Sequence, residues 1–101
     1  MTFRSRRLLD HCHEAPCMAQ FPHECTEHLS VVPAHANDLM FGRGSHHKSD
    51  DCFVAAVCQV AHDYIDGRRG QWNKDAKRSE WMLAYIETQR WLWTHEKVKP
   101  A

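Results

Sequence analysis

Cysteine and histidine are the residues of this chain whose number and spacing point most directly to chemistry. Five cysteines and nine histidines occur in 101 residues. Seven residues separate Cys17 from Cys25, and Cys58 follows much later. Zn²⁺ in structural sites takes four such soft ligands in a tetrahedron. The three thiols therefore predict a structural zinc site, and its fourth ligand is open among Cys12, His11, His13, His23 and His28.

A second pair of candidate ligands is His62 and Asp66. They are four residues apart in a segment expected to be helical, so their side chains lie on one face about one turn apart. Imidazole and carboxylate together suit a single divalent metal ion, which could be Mg²⁺, Mn²⁺ or Zn²⁺.

Residues for acid–base chemistry and phosphate binding surround this pair in the sequence. His35 ends an apolar run and could activate a water molecule, and Asn37 lies two residues on, where it could orient the imidazole or a substrate phosphate. Phosphate binding is expected from four basic residues, two before and two after the candidate helix. They are Arg43, Lys48, Arg68 and Arg69.

Two short strands and two helices are predicted to position these side chains. The apolar runs at 29–32 and 52–57 predict strands, and Pro33 at the end of the first fits a strand edge or a strand exit. A short helix is expected at 59–66, with Gly67 as its cap, and a long one at about 75–96. The basic residues 1–10 are expected to be frayed, and the Pro-, Cys- and His-rich stretch 11–28 to lack regular structure.

Composition limits the class of protein. Thirteen basic and thirteen acidic side chains give a net charge of zero, which excludes a strongly basic DNA coat and an acidic mimic. No apolar run approaches the roughly 18 residues of a transmembrane helix, and the N-terminus lacks the apolar region of a secretory signal. We therefore expect one domain at 11–101, without a membrane segment, in a reducing cytoplasm.

Several motifs occur in an order that carries a family resemblance. Cys-x₇-Cys is followed by a strand ending in Ala34 and His35, a Gly-rich loop with Lys48 and Asp51, an apolar strand, and the segment CQVAHDYIDGR at 58–68. This order resembles the small prophage-encoded nucleases of the YbcO type. Those proteins are related to the phage nuclease Ref and belong to the HNH, or ββα-metal, endonuclease superfamily. The resemblance covers 16–68, about half of the chain.

The resemblance implies an α+β fold, with a small zinc-stabilised ββα-metal core at about 29–67 and a long C-terminal helix. His62 would be a ligand of one divalent metal ion, and Asp66 a second ligand or its partner. His35 would be the general base and Asn37 the orienting residue. Cys17, Cys25 and Cys58 would bind a separate structural zinc.

Two positions depart from the family pattern. Many HNH enzymes carry an Asp or His ligand just before the base, where this chain has Ala34. It therefore stays open whether His35 is itself a ligand or whether one comes from His46, His47, Asp50 or Asp51. Relatives tend to carry a Cys where this chain has Ala61, so the fourth thiolate of the zinc site is missing.

The function that these observations predict is metal-dependent hydrolysis of DNA phosphodiester bonds by a phage-type endonuclease linked to recombination. DNA is the expected partner, with a recombinase filament or a second copy of the chain as further ones. The alternative is a non-catalytic zinc module that binds DNA or protein. Four tryptophans, more than so small a core usually needs, favour such a partner surface.

Overall fold

The computed structural model describes residues 3–36 and 50–98. In chain order these contain α1 (Arg6–Glu14), β1 (Val31–His35), β2 (Val54–Cys58), α2 (Gln59–Ile65) and α3 (Lys74–Thr94). The predicted α+β class with a long C-terminal helix is confirmed. None of the helices in the described residues is long and apolar enough to cross a membrane.

The two strands form an antiparallel pair in which Val31 lies opposite Cys58 and His35 opposite Val54. Pro33 lies inside β1, opposite Ala56, and not at the strand exit. A proline lacks the N–H for a ladder hydrogen bond, but within the described residues β1 has a partner on one side only, and this strand edge, the other position predicted for Pro33, tolerates it. Both strands begin two residues later than the sequence predicted.

All five residues of β2 are buried because both faces of the strand are covered. Val54 and Ala56 belong to one cluster, with Cys12 and Ala15 from the α1 region. Ala55 and Val57 belong to another, which is completed by residues of α2 and α3. Those residues are Ala61, Ile65, Trp81 and Ala84.

Helix α3 is joined to the sheet by two buried hydrogen bonds. The Thr88 hydroxyl accepts from the backbone N–H of Ala56 at 2.9 Å and donates to the Ala84 carbonyl at 2.8 Å. The Trp81 indole Nε1–H donates to the Ala34 carbonyl at 2.8 Å. Both bonds satisfy backbone groups of the strands that α3 covers, and the second holds the backbone next to His35.

The N-terminal region differs from the prediction. Residues 1–10 were expected to be frayed and 11–28 irregular, but the chain forms α1 at Arg6–Glu14. Ser5 caps this helix by accepting from the Leu8 N–H, and Cys12 anchors it in the core with no exposed surface. The prediction was wrong here because Cys and His dominate the stretch and its first turn has no acidic residue. The spacing of Leu8, Leu9 and Cys12 after a capping serine was the available helical signal.

The two C-terminal helices agree closely with the sequence. Helix α2 ends at Ile65, and Gly67 follows its cap residue with φ of 85°, the left-handed conformation expected after a helix. Helix α3 buries Trp81, Thr88 and Leu92, whereas Tyr85 is only partly buried. Leu83, Ile86 and Trp93 of the same helix are exposed.

Candidate metal centre and neighbouring histidines

Four side chains from distant parts of the chain meet in a ligand cluster, which consists of Cys17, His23, Cys25 and Cys58. The first three lie in the loop between α1 and β1, and Cys58 ends β2 and caps α2. Their ligand atoms all lie within 4.8 Å of one another. A zinc ion with Zn–S distances of about 2.3 Å needs edges of roughly 3.8 Å. The four residues therefore fit a tetrahedral metal such as zinc.

Hydrogen bonds hold the cluster in place. The Cys58 N–H donates to Cys17 Sγ at 3.2 Å, and the Ala61 N–H donates to Cys58 Sγ at 3.4 Å. His23 Nδ1 lies 2.7 Å from the Phe21 carbonyl. Because a carbonyl can only accept, Nδ1 carries the proton and Nε2, 3.8 Å from Cys17 Sγ, is left as the ligand atom.

The two sulfurs of Cys17 and Cys58 differ in acidity. Burial raises the pKa of the Cys17 thiol to about 12; the N–H groups of Cys58 and Ala19 act against it, and the charges of the Cys58 and Cys25 sulfurs act with it. Burial also acts to raise the pKa of Cys58. The backbone N–H groups of Ala61 and Thr26 donate to its sulfur, outweigh burial and lower the pKa to about 6. The surroundings therefore favour the thiol form of Cys17 and the thiolate form of Cys58.

The prediction that Cys17, Cys25 and Cys58 come together is confirmed, and His23 is the fourth member. The other candidates have different surroundings. Cys12 is fully buried, and burial raises its pKa to about 11. His13 Nδ1 lies 2.7 Å from the Val31 carbonyl, His11 lies 3.6 Å from Glu14, and His28 is exposed. Cys52 is partly exposed.

His35 is the last residue of β1 and is paired with a carboxylate. Its Nε2 lies 2.9 Å from Asp51 Oδ1, and both side chains are largely buried. Asp51 also accepts from the Ser5 N–H at 2.8 Å and from the Arg4 guanidinium at 3.2 Å. Burial acts to raise the pKa of Asp51, but the bonds from His35, Ser5 and Arg4 outweigh it and lower the pKa.

His62 and Asp66, the predicted catalytic metal ligands, have different surroundings. His62 Nδ1 is buried and has no hydrogen-bond partner among the described residues. Asp63 Oδ1 lies 4.0 Å from it. The Asp66 carboxylate, by contrast, pairs with Arg68 Nε at 3.1 Å. Within 3–36 and 50–98, the ligand cluster is the only group of three or more metal-ligating side chains.

Two of the four predicted phosphate-binding residues lie in the described part of the chain. Arg68 and Arg69 are exposed in the turn after α2, where both N–H groups donate to the Asp63 carbonyl. Asn37, Arg43 and Lys48 lie outside the described residues, as do His46 and His47.

Two contacts of Asp51 were not assigned from the sequence. Arg4 lies in the segment expected to be frayed, yet it contacts Asp51. Asp51 itself was considered only as one of several metal ligands, and no spacing rule connects it to His35, 16 residues earlier. In the sequence, the position of His23 two residues before Cys25 was the observation that could have selected it as the fourth ligand.

Comparison of the chain with models of known protein families, with curated proteins and with solved structures gives no match.

Proposed function

We propose that the chain is a metal-dependent DNA endonuclease of the HNH, or ββα-metal, type, with a structural zinc ion in the ligand cluster. The observation that carries this proposal is the position of two histidines in a strand–strand–helix unit. An antiparallel pair, β1 and β2, is followed directly by α2, with His35 as the last residue of β1 and His62 on α2. The motif order from Cys17 to Arg68 gives independent support.

His35 would act as the general base. Its side chain is only 15 % exposed and is paired through Nε2, so one ring nitrogen is held and the other can take a proton. The attacking water would give its proton to His35 while its oxygen bonds to phosphorus. The bond from phosphorus to the leaving oxygen then breaks, and that oxygen takes a proton from solvent. Asn37 is proposed to orient the substrate phosphate.

His62 would hold the catalytic metal ion through its buried, unpartnered Nδ1. A bare imidazole nitrogen without a hydrogen bond is costly inside a protein, and a bound cation would offset that cost. Mg²⁺, Mn²⁺ or Zn²⁺ at this position would stabilise negative charge on the phosphate and on the leaving oxygen. Asp66 is the proposed second ligand, which requires exchange of its ion pair with Arg68. Arg68 and Arg69 would then contact phosphates of the DNA.

The test is cleavage of supercoiled plasmid and of circular single-stranded DNA by zinc-loaded protein in Mg²⁺ or Mn²⁺. We expect nicking that EDTA abolishes, and a rate about 100-fold or more lower in His62→Ala. His28→Ala is the matched control, because it removes an exposed histidine of the loop between α1 and β1. Zinc content and thermal melting are measured on the same samples, so that loss of zinc is distinguished from loss of the catalytic ion.

Absence of cleavage by folded, zinc-loaded protein on both substrates and with both metals would contradict the enzyme. One observation favours the alternative in that case. The ligand cluster is the only complete ligand set in the described residues, as expected for a zinc module that binds DNA without cutting it. Retained DNA binding with a strong salt dependence would then support the non-catalytic function.

A further inference from the structure

Asp51 is the only Asp, Glu, Lys or Arg residue that is buried in the described part of the chain. The residue is only 5 % exposed. Burial of an ionised carboxylate is unfavourable unless donors surround it. Here three donors do so: His35 Nε2, the Ser5 N–H and the Arg4 guanidinium. So costly an arrangement needs a role, and neither the zinc site nor the hydrophobic core explains it.

The N-terminal segment is paired with the segment that carries this carboxylate. The Asp51 N–H donates to the Phe3 carbonyl at 2.9 Å, and the Phe3 N–H donates to Asp50 Oδ1 at 3.2 Å. Ser5 donates its N–H to Asp51 Oδ2 and its side chain caps α1. Residues 3–5 therefore connect the start of α1 to Asp51, and Asp51 connects them to His35.

The contact also selects the state of the imidazole. An ionised carboxylate has no proton to give, so the 2.9 Å contact requires that His35 Nε2 carries the hydrogen. In the neutral ring the lone pair then lies on Nδ1. The ring is fixed in orientation by the same bond, which is the arrangement that a general base needs.

We propose that Asp51 is a positioning residue for His35: it binds Nε2–H, leaves Nδ1 to accept the proton of the attacking water, and is itself held by Arg4 and Ser5 of the N-terminal segment. This inference rests on the proposed nuclease function for its catalytic part. Its structural part, the tautomer of His35, is independent of any activity.

The experiment compares wild type, Asp51→Asn and Arg4→Gln with Asp10→Asn as control. The control removes one acidic charge from an exposed ion pair of α1 with Arg6. Each protein is assayed for kcat and KM on plasmid DNA and for the Mn²⁺ concentration at half-maximal rate. Imidazole nitrogens are observed by ¹⁵N–¹H NMR, with the His35 signal assigned through His35→Gln. Melting and zinc content report on the fold.

We expect kcat to fall about 100-fold or more in Asp51→Asn and several-fold in Arg4→Gln, with KM, Mn²⁺ dependence and zinc content unchanged. In wild type the His35 spectrum should show a protonated Nε2 and a bare Nδ1, and Asp51→Asn should convert it to a tautomer mixture. Arg4→Gln keeps both residues of the pair, so it tests the proposal even where Asp51→Asn does not fold.

Three results would overturn the inference. The first is a wild-type His35 protonated on Nδ1. The second is full kcat in folded Asp51→Asn. The third is an Asp51→Asn protein whose rate recovers at higher Mn²⁺ concentration, since Asp51 would then be a metal ligand. If wild type cleaves no DNA, the proposed function fails, and the tautomer measurement still decides whether Asp51 positions His35.

Discussion

Cys58 has three structural roles in this protein. It ends β2, it is the N-cap residue of α2, and its sulfur belongs to the ligand cluster. The N-cap position exposes the sulfur to the N–H of Ala61, which is one of the bonds that lower the pKa of this thiol. The same backbone geometry therefore begins the helix and prepares a thiolate for a cation.

The acidities of Cys58 and Cys17 predict how zinc affinity varies with pH. Above a pH of about 6 Cys58 is ionised, whereas Cys17, with a pKa of about 12, must release its proton when zinc binds. Release of one proton raises the apparent affinity about tenfold per pH unit, so affinity should rise at least that steeply between about pH 6.5 and 8.5. Competition with a chromophoric chelator measures this slope. A pH-independent affinity would show that Cys17 is not a ligand.

At the scale of elements, β2 depends on its neighbours along its outer edge. The core clusters cover its two faces. At the outer edge, the Met18 N–H donates to the Ala56 carbonyl at 2.8 Å, and the Thr88 hydroxyl accepts from the Ala56 N–H. A two-stranded sheet is marginal alone, so this edge needs such partners. Thr88 of α3 therefore accepts the hydrogen bond that a neighbouring strand would accept in a larger sheet.

Replacing Thr88 with valine tests that role. Valine keeps the shape of threonine but leaves the buried Ala56 N–H without an acceptor, which costs about 1–3 kcal/mol. We expect the free energy of unfolding to fall by that amount. Thr94→Val, at the exposed end of the same helix, should change it by less than about 0.5 kcal/mol. Urea denaturation of the two variants and wild type measures both. Equal stability of Thr88→Val and wild type would contradict the role of this hydroxyl.

The elements also show what the sequence could and could not predict. Helices α2 and α3 were predicted because periodic apolar residues and Gly67 mark them locally. Helix α1 was not, since its Cys and His residues suggested ligands and not a buried face. His23 could be proposed only as one of five possible fourth ligands, because the choice depends on how the loop folds back onto β2. The Asp51–His35 contact depends in the same way on tertiary structure, through the N-terminal segment.

At the scale of the whole molecule, the ligand cluster links the loop between α1 and β1 to the junction of β2 and α2. Cys17 and Cys58 are 41 residues apart, and the chain between them contains β1 and residues 37–49, which lie outside the described ranges. A cross-link that closes a loop of this length stabilises a fold by about 4 kcal/mol in the chain-entropy account. Small domains with a limited core commonly need such a link.

Removal of zinc should therefore destabilise the entire domain and not only the loop. We expect chelation, or the variant His23→Ala, to lower Tm by about 15–30 °C, since each kcal/mol corresponds to about 4–8 °C in a domain of this size. His28→Ala, in the same loop but exposed and outside the cluster, should keep both zinc and Tm. Calorimetry with zinc quantified on the same samples measures this.

His62→Ala should keep its Tm within a few degrees while losing cleavage, because His62 lies outside the cluster. If His62→Ala instead melts together with His23→Ala, the two histidines serve one structural site, and the separation of a structural zinc from a catalytic metal ion is wrong.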